Sequence, residues 1–137
     1  MNKFTEMVTS SVQVAKTVTT GISSTNLLDM QQYCKAIFNV VALKPLDATG
    51  SVLNLTVTVY ESTASTWNGA VATAMTNFVG TAAVYSGSNG VVRLELNDYE
   101  MSTNQGKRYI GFKTACWTAT DQVGIVERYK SDYEPVE

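Results

Sequence analysis

The sequence predicts an all-β protein, a two-sheet antiparallel β-sandwich that is jelly-roll-like and has seven or eight strands. Three observations favour this fold. The composition is rich in Thr and Val, whose branched side chains suit a pleated sheet. Only two prolines occur among 137 residues, and short stretches alternate apolar with polar residues. A jelly roll is favoured over an immunoglobulin-like sandwich because Trp117 directly follows Cys116, so the Cys–Trp–Cys spacing is absent.

Three strands are predicted in the first half of the chain. The stretch 11–20, SVQVAKTVTT, alternates valines with polar residues. The run 33–43, YCKAIFNVVAL, is largely apolar on both faces, which indicates a central strand covered on both sides. Before it, Asp29 is placed to cap a single helical turn through Gln32. The stretch 51–63, SVLNLTVTVYEST, has one apolar and one polar face, so it is expected to lie between core and solvent.

Four more strands are predicted in the second half, at 78–86, 91–97, 107–117 and 123–130. The first two are separated by the turn GSNG and are expected to form a hairpin-like pair. Residues 62–77 show no sustained period and are predicted to form a loop with room for a short helix. No linker, low-complexity tract or internal repeat interrupts the chain. The prediction is one domain over residues 1–137, with an N-terminal arm at about 1–9 and a C-terminal arm at about 128–137.

Charge and hydropathy argue against two classes of partner. The net charge is −2, and the longest basic cluster is the GKR of residues 106–108, so binding to nucleic acid is not expected. No apolar run approaches the ~18 residues of a membrane helix, and no membrane partner is expected. The first 13 residues lack the apolar core and cleavage site of a signal peptide, which predicts folding in a cytoplasm. Cys34 and Cys116 are interpreted as buried free thiols, with a disulfide left open for an oxidising medium.

Residues that carry chemistry are scarce. The chain has no histidine, which excludes Ser-His-Asp and Cys-His nucleophiles and any zinc site built on imidazole. Asp98 and Glu100 flank Tyr99, but carboxylates in a turn are more simply solvated than catalytic. The turn YSGSNG lacks the lysine and helix of a phosphate-binding loop. We therefore expect no enzyme activity, no cofactor and no metal.

Aromatic residues are the main candidates for binding. Trp67 lies in the polar loop STWNG, where it either contacts a sugar ring or protein partner or folds back over the edge of the core. The tail ERYKSDYEPVE carries two tyrosines and a stiffening proline, and it either docks on a partner or is disordered. The predicted interface residues are Phe4, Met7, Trp67, Arg128, Tyr129, Tyr133 and Pro135.

Four stretches in this order carry a family resemblance: GISSTNLLDMQQYCKAIFNVVAL, LTVTVYEST, VVRLELNDYEMSTNQGKRYIGFKTACWTAT and VGIVERYKSDYEP. Together they resemble small auxiliary head proteins of tailed bacteriophages, the decoration or cement proteins that bind the outside of an assembled capsid. The short motifs behind the likeness are Glu61-Ser62-Thr63, Gly106-Lys107-Arg108-Tyr109 and Tyr133-Glu134-Pro135. Residues 64–80, ASTWNGAVATAMTNFVG, match no pattern of that family.

The resemblance implies a virion structural protein located on the capsid surface. Its implied partners are the major capsid protein and copies of itself, with a homotrimer favoured over a homodimer, and it carries over no catalytic residue. Two alternatives remain open. One is a carbohydrate- or host-surface-binding β-sandwich that uses Trp67 and Tyr60 as stacking platforms. The other is a tail or head-to-tail structural component.

Overall fold

A computed structural model describes residues 8–19, 23, 26–42, 53–67, 71–84, 89–116 and 120–130. These residues form eight strands and two single turns of 3-10 helix. The strands are β1 (Val8–Thr19), β2 (Leu28–Asp29), β3 (Tyr33–Ala42), β4 (Leu53–Ser62), β5 (Thr73–Val84), β6 (Gly90–Asn97), β7 (Tyr109–Ala115) and β8 (Thr120–Lys130). The 3-10 turns, Asp98–Glu100 and Thr103–Gln105, lie between β6 and β7.

The strands form two antiparallel sheets with the topology of a jelly roll. Sheet A has the order β1-β8-β3-β6, and sheet B has the order β2-β7-β4-β5. The chain moves to the other sheet at every connection except the one from β4 to β5. This alternation produces the double Greek key of a jelly roll, so the predicted fold class is confirmed.

The core lies between the two sheets and is built from the alternating residues of their inner faces. Phe38 of sheet A meets Phe112 of sheet B edge to face, with ring centroids 6.2 Å apart. Both rings are almost wholly buried. The alternation predicted for β4 is confirmed, because its inward residues Leu55, Val57 and Val59 are fully buried.

Two glycines let the sheets approach closely. At Gly124 in β8, an added Cβ would lie 2.3 Å from Cζ of Phe112, so the ring occupies the space that a side chain would need. A similar constraint applies at Gly80 in β5, where an added Cβ would lie 2.5 Å from Cγ1 of Val92 in β6. Both glycines therefore admit a neighbour's side chain at a point of tight packing.

The hairpin predicted between the strands at 78–86 and 91–97 is wrong. β5 pairs with β4 in sheet B, while β6 pairs with β3 in sheet A. Strand β5 also starts at Thr73, inside the segment predicted to be a loop. The pairing of β5 with β4 shifts register between Thr58 and Tyr60. Because of this irregularity, the start of β5 lacks a regular alternation of apolar and polar residues in the sequence. The edges of β5 and β6 instead pack against each other across the sandwich.

Two further boundaries differ from prediction. Asp29 lies in β2, and its Oδ1 accepts a hydrogen bond from the backbone N–H of Gln31 at 2.9 Å, so it caps a tight turn rather than a helical one. Val8 and Thr9, assigned to the N-terminal arm, belong to β1. Residues 128–130, assigned to the C-terminal arm, belong to β8 because this strand continues to pair with β1 and β3.

The central position predicted for residues 33–43 is confirmed, since β3 lies between β8 and β6. Its outward side is only partly covered: Ile37 is buried, whereas Asn39 and Val41 are half-buried. Cys34 near the start of β3 and Cys116 just after β7 are both free thiols, as predicted. The predicted burial is confirmed for Cys116, whereas Cys34 is only half-buried.

Candidate functional site

The outer face of sheet B carries a cluster of two aromatic rings and one cation, which we call the aromatic cluster: Tyr60, Trp67 and Lys113. The alternation of β4 turns Tyr60 away from the core, and Lys113 faces the same side from the adjacent strand β7. Trp67 follows β4 in a loop held by two hydrogen bonds. In one, the backbone N–H of Ala64 donates to Oγ of Ser62. In the other, the backbone N–H of Leu27 donates to the carbonyl of Ser65.

The three side chains are in direct contact. The rings of Tyr60 and Trp67 lie edge to face, with centroids 5.6 Å apart and planes inclined by 73°. Nζ of Lys113 lies 5.1 Å from each ring centroid, so the ammonium interacts with both aromatic faces. Both rings are half-buried and Lys113 is exposed. Trp67 therefore packs back on the sheet, and the two residues predicted as stacking platforms are brought together.

A second surface lies at one end of the sandwich, where the described chain both begins and ends. Val8, the first residue of β1, pairs with Tyr129 near the end of β8. Strand β1 therefore begins beside the end of β8. We call this the tyrosine end, because four tyrosines of the described residues lie there, outside the aromatic cluster: Tyr33, Tyr99, Tyr109 and Tyr129.

Asp29 is the electrostatic centre of the tyrosine end. Arg108 donates from Nε to Oδ1 of Asp29 at 2.9 Å and from Nη2 to Oδ2 at 2.6 Å. Arg128 of sheet A donates from Nη1 to the backbone carbonyl of Asp29 at 2.8 Å. Its Cζ lies over the ring of Tyr33, 4.5 Å from the ring centroid. The hydrogen bond from Arg108 lowers the pKa of Asp29 below its ordinary value, against the opposing effect of burial.

An open cavity of about 450 Å³ lies beside this centre. The buried side chains of Met30 and Met101 contribute to its lining, as do Tyr99 and Lys107, and Tyr99 is 80% exposed. The ammonium of Lys107 donates to the carbonyl of Val71 at 2.7 Å, which anchors this segment to the start of β5. Methionine, tyrosine and arginine are residue types enriched in protein interfaces, so the composition suits a protein partner.

The predicted site residues have different outcomes. Phe4, Met7, Tyr133 and Pro135 lie outside the described residues. Trp67 belongs to the aromatic cluster, as described above. Arg128 and Tyr129 lie in β8, so they are parts of the sheet, and the guanidinium of Arg128 is used internally.

Sequence reasoning missed three residues that the fold makes central: Asp29 as an ion-pair partner, Arg108 and Lys113. The signals for Arg108 were its place in the short basic cluster GKR and in the motif Gly106-Lys107-Arg108-Tyr109. Lys113 could have been noticed as a polar residue in the outward phase of β7, but nothing local linked it to Trp67.

The acidic and cysteine side chains are dispersed over the part of the chain that the structure describes. No three Asp, Glu or Cys residues come together there in a way that could hold a metal ion. Asp98 and Glu100 are exposed in the first 3-10 turn, as expected for solvated turn residues. Within the same described ranges, no helix has the length and apolar character to cross a membrane.

Comparison with known proteins gives little guidance. No protein-family model matches the chain, and no curated protein sequence matches it. Among solved structures, the fold is similar to part of the one described as "Crystal Structure of Tripeptidyl Peptidase 2 (TPP II)", with a TM-score of 0.49 and 8% identity. The match covers 95% of this chain and 10% of that chain, and nothing about function follows from it.

Proposed function

We propose that this chain is a non-enzymatic structural protein of a tailed-phage virion, which binds the outside of the capsid and stabilises the shell as a decoration or cement protein. One observation carries the proposal. Val8 and Tyr129 are paired, so the first strand begins and the last strand ends together at the tyrosine end. Two strand ends that meet beside an interface-like surface suit a protein that attaches to a lattice of subunits.

Multivalent attachment supplies the binding energy. A rigid jelly roll supplies the scaffold, and several weak contacts made from one end of it act together once the first has formed. The aromatic and arginine side chains of the tyrosine end are residue types that dominate binding energy in interfaces. Attachment to a repeating capsid surface therefore requires no single strong site.

The proposed partners are the major capsid protein and further copies of this chain, in a homotrimer. The proposed location is the capsid surface. A net charge of −2 with no large basic patch in the sequence supports a protein rather than a nucleic-acid partner.

Co-sedimentation with expanded capsids of the phage that encodes the chain tests the proposal. We expect the protein to saturate the capsids at a fixed ratio and to raise the temperature at which they release DNA. A variant that lacks residues 131–137 is expected to bind at least tenfold more weakly, whereas Trp67→Ala is expected to bind like the parent protein. Binding to isolated tails and not to capsids would favour a tail component, and binding to neither would refute a virion role.

A further inference from the structure

We propose that the aromatic cluster of Tyr60, Trp67 and Lys113 is a binding site for an acidic saccharide, in which the rings pack against a sugar and the ammonium pairs with the sugar's carboxylate. This site lies on the outer face of sheet B and does not depend on the capsid-binding function. Its geometry supplies the two elements that such a ligand needs: a fixed aromatic surface and an adjacent positive charge.

The aromatic surface is preorganised. Tyr60 belongs to β4, which is paired with β5 on one side and β7 on the other. The loop that carries Trp67 is held by hydrogen bonds at Ala64 and Ser65. Little side-chain freedom remains to be lost on binding, which favours affinity. Both rings are half-buried, so each is supported by the protein and still reaches solvent. The C–H groups of a sugar ring carry partial positive charge and pack against the negative face of an aromatic ring.

The charge of Lys113 distinguishes an acidic sugar from a neutral one. Lys35 and Arg93 pair with Glu95, and Arg108 pairs with Asp29. Lys113, by contrast, has no carboxylate oxygen within 4.0 Å in the described ranges, and its ammonium rests on ring faces instead. An exposed ammonium without an acidic neighbour remains available to an anionic ligand, and a charge-assisted hydrogen bond is the stronger kind.

Hydroxyl groups next to the cluster complete the site. Thr58 of β4 lies directly opposite Lys113 of β7, and Thr56 follows on the same outward face. Both are half-buried, and threonine hydroxyls both donate and accept hydrogen bonds. This face therefore offers partners for sugar hydroxyls on one side of the aromatic cluster.

The test compares one sugar in its charged and neutral forms. Purified protein is first applied to an array of acidic and neutral glycans, and binding of a galacturonic acid trimer and of its methyl ester is then measured by calorimetry. We expect acidic glycans to be retained and the trimer to bind at least tenfold more tightly than its ester. We also expect the affinity for the trimer to fall as salt is added, because the contact is ionic.

Three variants separate the contributions. Lys113→Gln is expected to weaken binding of the acidic trimer about tenfold and to leave binding of the ester unchanged. Trp67→Ala is expected to remove binding of both forms. Lys35→Gln makes the same change of charge on the outer face of sheet A and is the matched control, with no effect on either ligand.

Several outcomes would overturn the proposal: no acidic glycan is retained, the ester binds as tightly as the acid, or Lys113→Gln behaves like Lys35→Gln. In those cases the cluster serves only to hold the loop on the sheet. Lys113 is exposed, so its variant tests the idea even if Trp67→Ala unfolds. Capsid co-sedimentation of Lys113→Gln is expected to be unchanged, which keeps the failure of this site distinct from the failure of the proposed function.

Discussion

Asp29 and Arg108 form an ion pair with two hydrogen bonds, at 2.9 and 2.6 Å. The pair joins the short strand β2 to the residue that precedes β7. Because Arg128 of sheet A also donates to the carbonyl of Asp29, this one residue connects both sheets at the tyrosine end. The proposed attachment surface therefore rests on a fixed polar centre.

We expect Asp29→Asn to lower the free energy of unfolding at pH 7 by less than about 1 kcal/mol, because the pair is partly exposed and screened by solvent. The hydrogen bond from Arg108 holds the pKa of Asp29 below its ordinary value of 3.8. The stabilisation is therefore fully present above the unfolded-state pKa and is lost as the pH falls through the lower folded-state pKa.

Urea unfolding of the parent protein and Asp29→Asn between pH 7 and pH 2 measures this dependence. We expect the difference between them to shrink as the pH falls below 3.8. Glu95→Gln is a comparison variant from sheet A, where Arg93 also lowers the pKa of a carboxyl group. A difference for Asp29→Asn that stayed constant with pH would show that the ion pair is not its source.

We expect Gly124→Ala to destabilise the fold by about 1–3 kcal/mol, because the new methyl group would overlap the buried ring of Phe112. Denaturant unfolding measures the change. In a Phe112→Leu background the smaller side chain leaves room, so the same substitution is expected to cost less. Equal costs in both backgrounds would mean that backbone effects, rather than the ring, make glycine necessary.

A buried hydrogen bond also links the sheets. The hydroxyl of Thr114 in β7 donates to Oε1 of Gln122 in β8 at 2.6 Å, and both residues are buried. We expect Thr114→Val to cost about 1–3 kcal/mol, because it removes the donor from a buried acceptor. Adding Gln122→Met, which replaces the acceptor with a side chain of similar shape, is expected to recover part of that loss. Strictly additive costs would contradict a direct coupling.

The oligomeric state gives a direct test of the attachment model. We expect light scattering of the purified chain to report a trimer, and a variant lacking residues 131–137 to report a smaller species. The reason is that β8 ends beside the start of β1 at the tyrosine end, which is the proposed attachment surface. A monomer in both samples would leave self-association without support.

The thiols are expected to stay reduced within one chain. Cys34 lies at the tyrosine end, where its Sγ donates to the carbonyl of Lys130 at 3.3 Å, and Cys116 follows the far end of β7. A disulfide requires Cα atoms within about 7 Å, which two ends of a sandwich do not provide. Thiol titration is expected to find both cysteines free after unfolding, and an intramolecular disulfide would contradict the strand order.

Periodicity predicted the faces of strands well and their partners poorly. The outward and inward residues of β4 and β7 follow from alternation, and their burial agrees with it except at Ser62 and Gly111, which are buried in the outward phase. The same pattern in β6 does not say whether β3 or β5 is the neighbour, because alternation specifies a face and not a register partner. The hairpin prediction failed for this reason.

The aromatic cluster and the tyrosine end were likewise predicted only in part from the sequence. Composition was enough to predict an all-β sandwich, to exclude histidine chemistry and to single out Trp67 as a residue of interest. The contact of Trp67 with Tyr60 and Lys113, and the ion pair of Asp29 with Arg108, depended on strand order. Lys113 lies 46 positions after Trp67 in the sequence. Contacts over such separations arise only when the sheets assemble, because the patterns that predict strands are local and the packing that joins them is not.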